Sequence, residues 1–94
     1  MRLRWTRLAE RDLDEIARYV GQDSPAAAHV VLELIDQAER LLPEYPSIGR
    51  PGRVLRTREL VIGDLPYIIA YRVRDRDLEI LRVLHTSREW PGDL

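Results

Sequence analysis

Cysteine is absent from this sequence, which excludes a disulfide and a thiolate-held metal site. A small core must then be supplemented by packing against something else, and a partner chain is the natural expectation. Long apolar runs are absent too. None approaches the roughly 18 residues of a membrane span, and the opening MRLRWTRLAERDLDEI lacks the apolar centre of a signal peptide. A cytoplasmic protein with no membrane partner is expected. Lysine is missing altogether, so all 15 cations are arginines. Codon bias accounts for that as readily as chemistry does, and the functional question becomes where the arginines cluster. No glycine-rich phosphate loop, metal-ligand spacing or nucleophile elbow occurs, so neither a metal nor a cofactor is expected.

What is present is globular: 94 residues, 45% hydrophobic and 33% charged, enough for a single domain over 1–94 with one modest core. The formal net charge of −1 hides an asymmetry. Residues 1–48 hold six arginines against nine acids, a net of −3, whereas residues 49–94 hold nine against seven, a net of +2. The two halves therefore suit different partners. The densest cluster is GRPGRVLRTREL, which puts Arg50, Arg53, Arg56 and Arg58 within nine positions.

Alternation in RLRW places Leu3 and Trp5 on one face of a short edge strand. From Arg7 to Val20, Leu13, Ile16, Ala17 and Val20 follow the spacing of one helix face, with Thr6 as N-cap and Gly21 as the stop. Ser24 and Pro25 then open a second helix whose stripe is Ala27, Val31, Leu34, Ile35, Ala38, Leu41 and Leu42, closed by Pro43. A four-residue break makes the pair an antiparallel hairpin with both stripes turned to a sheet. PEYPSIGRPGR, rich in proline and glycine, reads as a surface loop without regular structure. Three strand-like runs follow. TRELVI and LEILRVLH flank YIIAYRV, whose continuous apolar character predicts a central strand. The fold class is α+β in the order β-α-α-β-β-β, a helical hairpin on one face of a small, mainly antiparallel sheet. Arg58, Arg72, Arg82 and His85 are expected near the other face or its rim.

Each candidate for chemistry has a bland alternative. His85 ends the last strand and is either a general acid or base beside arginines that stabilise phosphorane charge, or a strand-end histidine that bonds the backbone. The arginines Arg50, Arg53, Arg56 and Arg58 suit a polyanion or an acidic peptide, or are a solvated loop with no specific ligand, or are salt-bridged to the adjoining Glu59. Tyr67 and Tyr71 share a face and read as core. Trp90 stacks on a base or folds back over the sheet, and His29, four residues before Glu33, is a surface residue.

Taken in order, ERDLDEIARYV, YPSIGRPGR, TRELVI, PYIIAYRV and LEILRVLHTSREWP resemble the RelE/ParE superfamily of toxins from bacterial type II toxin–antitoxin modules, over essentially the whole chain. The resemblance implies a growth-arresting protein bound by a cognate antitoxin, whose C-terminal segment wraps it, and reaching operator DNA only through that antitoxin. Two targets occur in the superfamily: the RelE-like branch cleaves mRNA on the ribosome, and the ParE-like branch inhibits DNA gyrase without being a nuclease. RNA-cleaving members carry a strand resembling Tyr-Arg-Leu-Val-Tyr whose arginine contacts the scissile phosphate, and in YIIAY its place is taken by Ile68. Arg72 lies four residues on, about 13 Å along a strand, and the acidic first half departs from the basic character of RNA-cleaving members. The expected function is therefore ParE-like gyrase inhibition, with Arg50, Arg53, Arg56, Arg58, Arg72 and Trp90 as partner-binding residues. The alternative is a metal-independent endoribonuclease with His85, Arg82, Arg58 and Glu59 as a shifted site, or a non-toxic relative that acts as a co-repressor with its antitoxin.

Overall fold

Alternation in RLRW forms the first strand, β1 (Arg2–Trp5), and Thr6 turns the chain into the first helix, α1 (Arg7–Asp23), its hydroxyl accepting the Ala9 N–H at 3.1 Å. The computed structural model describes residues 1–87, 90, 91 and 94. Arg88 and Glu89 of the TSREWP motif lie outside the described residues. Helix α1 does not stop at Gly21 but continues to Asp23. A Cβ at Gly21 would sit 3.7 Å from the Ala28 Cβ, so the two helices approach closely there and their packing offsets the poor helix propensity of glycine. The break between helices is one residue rather than four. Ser24 closes α1 by donating its N–H to Val20 O at 3.2 Å, and opens α2 (Pro25–Leu41) by accepting the Ala27 N–H at 3.1 Å.

The remaining elements are β2 (Arg50–Pro51), β3 (Arg58–Val61), β4 (Tyr67–Arg74) and β5 (Asp77–His85). They form a sheet of order β1-β5-β4-β3-β2, with β1 parallel to β5 and every other pair antiparallel. The central place of β4 fits its continuous apolar run. Strand β2 corrects the loop expected over PEYPSIGRPGR: Arg50 pairs with Glu59 and Pro51 with Arg58. Proline fits because β2 is an edge strand, where a missing N–H leaves no neighbour unsatisfied.

Helix α1 lies against β5 and α2 packs on α1. Ala9 and Ile16 of α1, Ile35 of α2 and Leu42 just after it meet Ile69, Tyr71, Leu78, Ile80 and Val83 of the sheet in the core. The expected α2 stripe is wider than the surface that covers it. Val31, Ile35, Ala38 and Leu42 face the core, while Ala27, Leu34 and Leu41 are exposed. Among the described residues no helix is long and apolar enough to cross a membrane.

Glu39 is the exception on the covered side of α2. It is 6% exposed and hydrogen-bonded by the Trp5 side chain, and burial, aided by the Asp36 charge, pushes its carboxyl from 4.5 up to about 8. The folded chain therefore holds a proton that the unfolded chain releases above pH 4.5, so stability falls as pH rises from about 4.5 to about 8. Glu39→Gln keeps the hydrogen-bonding shape and removes that cost. Unfolding in urea at pH 5 and pH 8 should show the variant more stable than wild type only at pH 8, by about 2 kcal/mol.

Candidate functional site

The arginine cluster is organised by Glu59, which is 3% exposed on β3. Arg50 donates Nε and Nη2 to Oε1 at 3.3 and 3.1 Å, while Arg53 donates its backbone N–H at 2.8 Å and Nε at 3.2 Å to Oε2. Burial alone would raise the Glu59 pKa, but the Arg53 N–H and the two guanidiniums outweigh it and hold the carboxyl below its ordinary range. Two of the four arginines are thus bound into the fold by a buried carboxylate. The Arg53 guanidinium also lies 3.7 Å from the centre of the Trp90 ring, a cation–π contact. Trp90 is half-buried under that arginine, folded back onto the arginine-rich segment rather than projecting as a free stacking platform.

Arg58 is fixed differently. Its Nη1 donates to Gly49 O at 2.8 Å and to Ser47 O at 3.5 Å. The same turn is held by Tyr71, whose Oη accepts the Gly49 N–H at 2.9 Å and donates to Pro46 O at 2.8 Å. Residue 49 must be glycine, because a Cβ there would lie 2.6 Å from the Tyr71 Oη and 3.0 Å from Glu59 O. Arg56 has φ 65°, in the left-handed region that arginine rarely adopts. Its loop is closed by Gly52 N–H to Thr57 O at 2.8 Å and by the Thr57 hydroxyl to Val54 O at 2.6 Å. Arg56 is exposed and makes no hydrogen bond or ion pair among the described residues.

Strand pairing assigns the faces. Arg58 aligns with Tyr71 on the helix side, whereas Glu59, Ala70 and Arg82 form one row across the opposite face and Val61, Ile68 and Leu84 form the next. Ile68 is buried in an apolar row. Arg72 aligns with Glu79 on the same face and donates Nε to it at 2.9 Å.

His85 and Arg82 lie at the margin where β1 ends. The β1 pairing stops at Trp5 with Ile80, so the β5 edge beyond has no strand partner. Helix α1 supplies side chains instead: the Thr6 hydroxyl donates to Leu81 O at 2.9 Å, and Asp12 accepts the Val83 N–H at 2.9 Å. Asp12 also takes Arg82 Nε at 2.8 Å and Nη2 at 3.0 Å, a bidentate pair that holds the Arg82 pKa above its ordinary value. His85 lines a cleft of about 270 Å³ with Asp12, Glu15, Ile16, Tyr19, Tyr67 and Val83. Its ring meets Tyr67 edge-on at 5.4 Å. The Ser87 N–H donates to Nδ1 at 3.1 Å, so the neutral ring carries its proton on Nε2.

The structure brings Arg50, Arg53, Glu59 and Trp90 together, and sets Arg56, Arg58 and Arg72 around a second cleft of about 370 Å³ with Pro51, Thr57 and Val73. It does not gather His85, Arg82, Arg58 and Glu59 around one point. His85 aligns with Tyr67 and Arg58 with Tyr71, four residues along β4 or about 13 Å. Asp12 went unmarked in the sequence. The signal was there, since it sits three residues after Ala9 and four before Ile16, on the buried face where a carboxylate needs a dedicated partner. Among the described residues no group of three or more histidine, aspartate or glutamate side chains is placed to hold a metal.

A helical hairpin on a five-stranded mixed sheet is an architecture shared with known proteins. A solved structure described as "Chromosomal ParDE TA system from P. aeruginosa" superimposes with a TM-score of 0.84 at 31% identity, covering 93% of this chain and 97% of that one. "Putative toxin Y4kP" of Sinorhizobium fredii is 53% identical over 90 residues, 96% of this chain and 93% of its own length. "Toxin RelE2" of Caulobacter vibrioides is 40% identical over 84 residues, 89% of this chain and 93% of its own. These similarities place the protein among the toxins of type II toxin–antitoxin modules, in the ParE/RelE superfamily, with a cognate antitoxin as the implied partner. A family model described as "ParE toxin of type II toxin-antitoxin system, parDE" matches residues 3–90, and the chain belongs to that family.

Proposed function

We propose that this toxin arrests growth by the ParE-like route, binding and inhibiting DNA gyrase, rather than by cutting RNA. The observation that carries the reading is the dispersal of the groups a nuclease would need. RNA cleavage without metal requires a base, an acid and charge stabilisers converging on one phosphate. Here Arg82 is engaged by Asp12, Arg58 by loop carbonyls and Glu59 by two arginines, and His85 lies about 13 Å along β4 from the level of Arg58. Where RNA-cleaving members of the superfamily carry arginine, Ile68 stands between Val61 and Leu84, and none of the three side chains can donate a hydrogen bond. Purified toxin should inhibit supercoiling of relaxed plasmid by purified gyrase when present in modest molar excess. Full supercoiling at a hundredfold excess would sink the proposal.

One observation favours the RelE-like reading: the Ser87 bond to Nδ1 orients His85 in a cleft with its Nε2 proton still to donate. The two readings separate at that residue. Under gyrase inhibition, His85→Gln retains both growth arrest and antitoxin binding. Arrest lost with antitoxin binding intact would instead make His85 the catalytic acid.

A further inference from the structure

We infer that the exposed side of α2 is a self-association surface, on which a second copy of this chain packs its own α2 in antiparallel orientation. The inference concerns the toxin alone and holds whichever target it strikes. Ala27, Val30, Leu34, Gln37 and Leu41 are all exposed on α2, while Val31, Ile35, Ala38 and Leu42 face the core. The exposed set advances by three, four, three and four residues. That is the spacing of a coiled-coil seam, alternating the a and d positions of a heptad. Val30, Leu34 and Leu41 are 54%, 38% and 48% exposed, so α2 carries a second apolar row that no described element covers. Exposed leucines scattered singly are ordinary. A heptad row flanked by charge is a helix-docking face.

Charge selects the occupant and its direction. Glu33 and Arg40 each precede a seam residue, Leu34 and Leu41, and so hold the g positions on one flank, while the e positions Val31 and Ala38 turn to the core. In an antiparallel pair g faces g. Layering Val30 on the second copy's Leu41, and Leu34 on its Gln37, sets Glu33 beside its Arg40. The two-fold axis repeats that contact, so one sequence supplies two pairs of opposite charge. A parallel pair would set Glu33 against Ala38 and gain neither. The face is therefore complementary to itself. On its own helix Glu33 approaches His29 at 3.7 Å, and Arg40 donates Nη2 to Asp36 at 2.9 Å. The rest of the Arg40 fork has no partner among the described residues. Gln37 is the polar break in the row. The axis places the two Gln37 side chains about 4.5 Å apart along the helices, so their amides can pair, and a polar residue in a seam fixes its register. One helix pair, about 26 Å long and about 10 Å wide, falls below the roughly 800 Å² per partner of a stable complex. A reversible dimer with a Kd of about 10 μM is expected.

The test is sedimentation equilibrium of the full-length toxin over a micromolar concentration series, with circular dichroism to show that each variant folds. The wild-type mass should rise from 11.0 kDa towards twice that value. Leu34→Glu puts a charge into the seam and should raise the dimer Kd about a hundredfold. Glu33→Arg and Arg40→Glu each set like charges together at both crossings, and each should raise Kd about tenfold. Mixed in equal amounts, these two variants restore opposite charge at both crossings, and the mixture should dimerise as wild type does. A toxin that stays at 11.0 kDa throughout the series overturns the proposal. So does a dimer whose Kd is unchanged by Leu34→Glu, or a mixture that associates no better than its components. A monomeric wild type whose affinity for the cognate antitoxin falls on Leu34→Glu would give the face to the antitoxin, and overturns the proposal as well.

Discussion

Asp12→Ala should destabilise the domain by about 3 kcal/mol, a loss of roughly 15 °C in melting temperature for a chain of this size. The carboxylate is 5% exposed and accepts three hydrogen bonds from β5, two from Arg82 and one from the Val83 N–H. Beyond Ile80 the β5 edge has no strand to pair with, so Asp12 takes the place of a sixth strand at that position. Its removal leaves a buried N–H without an acceptor and a largely buried guanidinium without its bidentate partner, two costs of known sign. Asp12→Asn separates them. The amide oxygen still accepts the Val83 N–H, and only the charge pairing is lost, so about half the effect should remain. Urea midpoints measure both, and an unchanged m-value shows that the loss lies in the folded state. A loss below 1 kcal/mol in Asp12→Ala would mean that the β5 edge finds another acceptor.

Glu59→Gln should cost about 2 to 3 kcal/mol, and it should act on the arginine-rich edge in particular. The carboxylate is buried, but its partners Arg50 and Arg53 are 55% and 46% exposed, which places the expected cost below that of a fully buried pair. An amide can satisfy the Arg53 N–H but cannot balance two guanidiniums. The released Arg53 would also leave the Trp90 ring, and the tryptophan fluorescence should respond. The pH dependence follows from the sign of the shift. A carboxyl held below its ordinary value contributes stability that is present above about pH 4.5 and is lost as pH falls through the folded-state value. Wild type should therefore lose stability in acid more steeply than Glu59→Gln. Parallel acid-unfolding curves for the two proteins would remove Glu59 from the account.

Much of this architecture is written locally. Thr6, Ser24 and Pro25 mark helix boundaries because caps act over three or four residues, and β4 declares itself central by an apolar run bounded by Pro66 and a charged turn. The structure departs from the local pattern where distant contacts override local preference. Gly21 stays helical because Ala28 is close, and β2 forms at a proline because β3 offers it an edge. In α2 periodicity reports which face is apolar but not how much of that face finds a cover, and Ala27, Leu34 and Leu41 stay exposed.

The site divides in the same way. Glu59 could be paired with its arginines from sequence because they are neighbours across a short turn, and the structure makes those pairs. The bond from Asp12 to Arg82 and Val83 spans 70 and 71 positions, and no local pattern reports it. Arg56 and Arg72 share a cleft only because β3 pairs with β4, and the bond between Tyr71 and Gly49 has the same long-range origin. The substitution at Ile68 was legible from a motif. Its apolar neighbours Val61 and Leu84 became visible only through strand register.

The most direct measurement of the target is pulse incorporation of labelled thymidine and labelled methionine in the first minutes after the toxin is induced without its antitoxin. Gyrase inhibition predicts that thymidine incorporation falls first while methionine incorporation holds near the empty-vector control. Collapse of methionine incorporation ahead of thymidine would contradict that account, and would return His85 and its cleft to the centre of the chemistry.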